Sequence, residues 1–123
     1  HHSDREIVYR PKPSWKDAVP IDGSRFSTGA ESIDDVLRDA HCLVTHGSNA
    51  CFEAVLAGIP CLVVGEAIAK PISSTLIDDI ENLRLATKTE RRAWLRFLAY
   101  QQWTLSEFNS GEAWQTIRRQ VFE

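Results

Sequence analysis

Residues 42–65 constrain this chain more than any other stretch. Cys42-Leu43-Val44-Thr45 and Cys61-Leu62-Val63-Val64 are short apolar runs, separated by a polar turn, a brief helical segment and a Gly-x-Pro stop. Uninterrupted apolar runs of this length belong to parallel strands covered on both faces, and a helix between them supplies the crossover that parallel pairing requires. Ser48 is placed to cap a helix over Asn49–Ala57, with Phe52, Val55 and Leu56 turned inward and Gly58 as its C′ residue. Thr45 to Asn49 then occupy the point where strand gives way to helix. Backbone N–H groups freed there, together with the helix dipole, favour an anion.

The flanking sequence extends the same alternation. Glu6-Ile7-Val8-Tyr9-Arg10 predicts a strand, ended by Pro11-Lys12-Pro13 because a proline pair cannot continue a ladder. Ser14 to Ser24 reads as loop, and Arg25-Phe26-Ser27 as a brief strand. Ser32 caps a helix running through Asp39, with Ile33, Val36 and Leu37 as its apolar stripe. The order strand, strand, helix, strand, helix, strand implies α/β architecture, a small Rossmann-like parallel sheet with right-handed crossovers.

Beyond Gly65 the pattern turns helical. Ala67 to Ser74 is a loop containing Pro71, and Leu76, Ile77 and Ile80 predict a short helix that turns Asp78, Asp79 and Glu81 to water. Thr87 to Glu90 forms a capping box ahead of Trp94, Leu95, Phe97 and Leu98, and Thr104 and Glu107 repeat the spacing. Asn109-Ser110-Gly111 interrupts, and a last helix carries Trp114, Ile117 and Val121. We expect a single domain over residues 3–123, with an α/β part at 3–66 and a helical carboxyl-terminal segment at 67–123. His1-His2 resembles the end of a purification tag and is set aside; no signal peptide follows it.

Composition narrows the partners. At 123 residues and 43% hydrophobic, the chain holds enough apolar material for one core. A net charge of -3 gives no basic footprint for duplex nucleic acid. No apolar run approaches the ~20 residues of a membrane span. Cys42, Cys51 and Cys61 read as small buried hydrophobes of a reducing cytoplasm, and lacking Cys or His neighbours at zinc-ligand spacing they imply no metal. Trp94, Trp103, Trp114, Tyr100 and Phe108 read as core rather than as a stacking platform.

Candidate chemistry gathers at the turn. Ser48 and Asn49 offer side-chain donors, and Gly47 leaves room for a phosphate to approach the backbone. Ser48 would also cap its helix with no ligand at all. Glu53 stands in a helix otherwise of Ala, Cys, Phe, Val and Leu, where an unpaired carboxylate is costly. Its partner is either a pair of ribose hydroxyls, a cation such as Arg10 or Lys12, or water at the helix edge. Arg10 and Lys12 alternate across Pro11 and direct two cations to one sheet edge. His46 and Ser48 are too close on one turn for a nucleophile and base, and the Gly-x-Ser-x-Gly elbow is absent. Gly47-Ser48-Asn49 lacks the glycine cradle and lysine of a P-loop.

Val8-Tyr9-Arg10-Pro11-Lys12-Pro13, Ser32-Ile33-Asp34-Asp35-Val36-Leu37, Thr45-His46-Gly47-Ser48-Asn49-Ala50-Cys51-Phe52-Glu53-Ala54 and Gly58-Ile59-Pro60 together resemble the carboxyl-terminal half of GT-B-fold glycosyltransferases. The pattern is nearest to transferases of capsule polysaccharide biosynthesis, including the Kdo- and sialic-acid-transferring types. The resemblance covers residues 6–66 and implies a half that binds a nucleotide-sugar donor. It implies phosphate contacts from Arg10, Lys12, Thr45, His46, Gly47, Ser48 and Asn49, and a ribose or sugar contact from Glu53. Lys12 stands where the family usually has histidine, which removes a general acid but keeps a cation. The family's amino-terminal half, which usually binds the acceptor, has no counterpart here, so no catalytic residue is assigned. The resemblance implies a cytoplasmic enzyme with no cofactor besides its donor, completed by an amino-terminal domain or a second copy. Two other readings stand beside it: a non-catalytic binding or assembly module with a degenerate GT-B half, and a nucleotide-sugar epimerase-like half. Gln102 to Trp114 also resembles tails of phage-type proteins.

Overall fold

The computed structural model describes residues 2–122, so His1 of the tag-like pair and Glu123 lie outside the described residues. The protein is mixed α/β. Its elements in order are β1 (Ile7–Tyr9), β2 (Ser24–Phe26), α1 (Ile33–Arg38), β3 (Leu43–Thr45), α2 (Ala50–Ala57), β4 (Cys61–Val63), α3 (Lys88–Tyr100), α4 (Leu105–Ser110) and α5 (Glu112–Phe122), with short 3₁₀ turns at Lys70–Ile72 and Ile77–Asp79. Contacts divide the chain between Thr87 and Lys88. The strand–helix alternation does stop near residue 66, but residues 67–87 belong with the strands.

Side chains tie that segment back to the first unit. His41 Nε2 lies 2.9 Å from the Ile80 carbonyl oxygen, and Arg5 Nε donates to Glu81 at 3.0 Å. Ser74 also bridges Leu62 of β4 in parallel, its N–H donating to the Cys61 carbonyl at 2.9 Å and its carbonyl accepting from the Val63 N–H at 2.8 Å. β4 therefore has a pairing partner on each side.

The single parallel sheet expected from the alternation is instead two parallel pairs among the described residues, β1 with β2 and β3 with β4. Ile7 faces Ser24 in the first pair; Leu43 faces Cys61 in the second. Each strand is three residues long. Ladders this short leave most of the stabilisation to side-chain burial. β4 receives it in full, with Cys61, Leu62 and Val63 all buried beneath α2 residues Cys51, Ala54 and Val55. β1 does not: Ile7 is 63% exposed.

Local sequence explains the helix ends. Ser32 caps α1 by accepting from the Asp35 N–H at 3.1 Å, and Asp35 in turn receives the Ser32 hydroxyl and Arg38. Those bonds, the serine's first, hold the Asp35 carboxyl below its ordinary value. Gly58 ends α2 at φ 80°, a left-handed position that glycine adopts without strain.

The second unit, residues 88–122, is three helices. A complete capping box at Thr104 and Glu107 starts α4, and Gly111 (φ 80°) separates it from α5. Trp94 and Ala113 are buried, yet Tyr100, Phe108 and Trp114 are exposed and Trp103 half-exposed. The aromatic set is therefore not the core that its spacing predicts. Val121, on the same predicted face as Trp114, is exposed too. No helix among the described residues is long and apolar enough to cross a membrane.

Candidate functional site

The turn between β3 and α2 stands at the carboxyl end of the β3–β4 pair, the position at which open parallel sheets receive ligands. Its conformation is set by its own side chains. The Thr45 hydroxyl accepts the Ser48 N–H at 3.0 Å, and the Ser48 hydroxyl accepts the Ala50 N–H at 3.2 Å. Serine thus caps as expected, but one residue out of register: Asn49 is the helix-flanking residue, is itself helical, and makes no capping bond with its side chain. Two amides of the turn are occupied in this way. Those of Gly47 and Asn49 carry no hydrogen bond among the described residues.

His46, Gly47, Ser48 and Asn49 are exposed and Thr45 is half-buried. Gly47 also has a structural reason that periodicity does not show. A Cβ there would stand 2.9 Å from the Glu66 carbonyl oxygen, so the glycine admits a neighbouring loop. Gly65 repeats the case, since its Cβ would lie 2.5 Å from the His46 carbonyl oxygen and 2.5 Å from its Cε1. The loops after β3 and β4 are pressed together, joined by the Val64 N–H donating to Thr45 at 2.9 Å. Glu66 beside them pairs with Lys70.

Of the three partners open to Glu53 the structure supplies water at the helix edge, since its side chain is exposed; the correction is to the helix face, for α2 buries Cys51, Ala54 and Val55 rather than Phe52, Val55 and Leu56. Leu56 is exposed and Phe52 half-buried. Water therefore solvates the Glu53 carboxylate, which needs no buried countercharge.

Arg10 and Lys12 have different surroundings. Arg10 is half-buried; its Nη2 donates to the Glu31 carbonyl at 3.0 Å, and its Nε is buried without a partner. The same loop draws in Ser27, whose hydroxyl donates to the Glu31 carboxylate at 3.1 Å. Lys12 is exposed and lines a cavity of about 310 Å³ with Trp15, Lys16, Phe26 and Thr28. Sequence reading passed over the last four. The available signal was a tryptophan bracketed by lysines in a loop, where no periodic face calls for an aromatic side chain.

The cysteines are inert packing. Cys61 and Cys51 are buried, and the Cys61 thiol donates to the Cys51 carbonyl at 3.6 Å. Burial, with the other two cysteines adding to it, pushes the Cys61 thiol up to about 12. Burial also raises Cys42. A thiol as disfavoured in its thiolate form as that of Cys61 is a poor nucleophile.

The chain matches no family model, no curated protein and no solved structure.

Proposed function

We propose that the first unit is a Rossmann-like, donor-nucleotide half of a GT-B glycosyltransferase-like protein, taking a nucleotide-sugar at the turn between β3 and α2. One observation supports this reading above others. At the carboxyl end of a parallel pair, Gly47 and Asn49 keep unpaired N–H groups beside the exposed Ser48 and Asn49 side chains. Such groups, aligned with the α2 dipole, suit a phosphate. Thr45 and His46 border the phosphate, Arg10 and Lys12 supply positive charge, and Glu53 reaches ribose or sugar hydroxyls from the solvent side.

In catalysis the oxygen of an acceptor hydroxyl would bond to the anomeric carbon as the bond to phosphate breaks, its proton passing to a base of the acceptor-binding half or to water. The nucleotide would leave with the electron pair, its charge met by the turn's amides. The nucleotide-sugar is substrate, and the reading calls for no further cofactor. An acceptor-binding half, as a separate domain or a second copy, completes the cleft in a cytoplasmic enzyme of capsule polysaccharide type.

A second reading, a non-catalytic assembly module, draws on the exposed Tyr100, Leu105, Phe108 and Trp114 of the helical unit. Thermal unfolding with CMP, UDP, GDP, ADP and their sugar-linked forms separates the two. At about 100 times the dissociation constant, a true ligand stabilises by about 2.7 kcal/mol. The double variant Ser48→Ala, Glu53→Gln should abolish the shift; an undiminished shift moves the site elsewhere. Silence across the whole panel would hand precedence to the assembly module.

A further inference from the structure

We infer that the cavity at the carboxyl ends of β1 and β2 is a binding site for a phosphate monoester carried on a single ring. The cavity is lined by Lys12, Trp15, Lys16, Phe26 and Thr28, among others, and measures about 310 Å³. That is the lower end of small-molecule sites, enough for one ring and one anionic group but not for a dinucleotide.

Its lining carries both halves of the recognition. Lys12 and Lys16 are exposed, line the cavity and form no ion pair among the described residues, so the lining carries two positive charges. Two ammonium groups match the double charge of a phosphate monoester better than the single charge of a carboxylate. Trp15 is 54% exposed and shares the lining with Phe26, whose ring lies 5.7 Å from that of Tyr9. An indole face left in water beside two cations serves a ring that can stack on it.

The backbone holds these groups in place. The Trp15 N–H donates to the Lys12 carbonyl at 2.8 Å, closing a turn that brings the two side chains to the same loop. The Ser27 N–H donates to Tyr9 at 2.9 Å, extending the β1–β2 pairing to the cavity floor. Gly29 (φ 83°) has nothing within 4 Å of where a Cβ would be, which leaves that side open.

Lys12 also serves the function proposed above, so the test turns on Trp15 and Lys16, which that function does not use. The indole N–H resonance of Trp15 is assigned by its loss in Trp15→Phe, and the protein is titrated with phenyl phosphate, glucose 6-phosphate, inorganic phosphate and phenol. We expect a saturable shift of that resonance with phenyl phosphate, about tenfold weaker in Lys16→Ala, with the other indole signals of the variant unmoved. Equal binding of glucose 6-phosphate identifies a sugar ring as the natural face, and weaker binding an aromatic one; both support the site. Inorganic phosphate binding as tightly as phenyl phosphate would remove the ring from the proposal. Phenol binding as tightly would remove the anion. An unmoved Trp15 signal, or unchanged affinity in Lys16→Ala, overturns it, and Ser48→Ala should leave every one of these readings as it is.

Discussion

The two strand pairs of the first unit solve the same local problem in opposite ways. Both place loops at the carboxyl ends of parallel strands. After β3 and β4 those loops close on one another, with Gly47 and Gly65 present because a neighbouring backbone leaves no room for a Cβ. After β1 and β2 they are linked through a side chain, Arg10 donating to the Glu31 carbonyl at 3.0 Å, and Gly29 is there for positive φ alone, with open space around it. The closed pair holds the buried strand and offers ligands only a rim. The open pair is half-exposed and keeps a cavity. A glycine in a loop thus has two separate meanings, contact and conformation, which a sequence writes with the same letter.

Three measurements sharpen or break that contrast. The largest difference should come from the strands themselves. Leu62→Ala, at a fully buried side chain, should cost about 3 kcal/mol in urea unfolding, whereas Ile7→Ala should stay within about 0.5 kcal/mol. Similar losses at both positions would mean that the first pair is buried after all. Next come the glycines. Gly65→Ala must displace the His46 carbonyl and should cost about 2 kcal/mol, while Gly29→Ala meets only the left-handed φ and should cost about 1 kcal/mol. A reversed order would remove the distinction between contact and conformation.

A third effect appears only at alkaline pH. Because Cys61 is held protonated to about 12 in the fold against 9.0 when free, the unfolded chain loses its proton first as pH rises. The stabilisation is complete below pH 9.0 and should drain away as pH climbs from there towards 12. Cys61→Ala, though less stable at neutral pH, should lose less over that interval. Equal slopes for the two proteins would show that β4 admits solvent.

Much of the closed half was legible in the sequence. Continuous apolar runs at 42–45 and 61–64, the Gly58 stop and the polar turn appear as strand, helix and strand within a residue or so of expectation. Thr104 and Glu107 form the capping box that their spacing predicts. These features are local: each depends on residues within a turn of one another. What escaped was everything that depends on what lies opposite. Periodicity marks α2 as apolar but cannot tell which face meets β4, so Leu56, expected inward, stands exposed. Strand composition does not say that β1 pairs only with β2. Trp114 and Val121 share the helical spacing of a core stripe, yet nothing covers them among the residues of their unit. At the candidate site the turn was found, while Trp15, Lys16 and Phe26 were not, because their proximity arises from two strands separated by a long loop.

The bridge from Ser74 to Leu62 has a consequence beyond topology. Cys61-Leu62-Val63 is the segment of this chain best suited to stacking with copies of itself, and an uncovered margin would invite amyloid-like growth. With β3 along one flank and Ser74 along the other, it presents no free template to a passing molecule. A single residue beyond the last regular strand thus covers the margin of the most apolar strand.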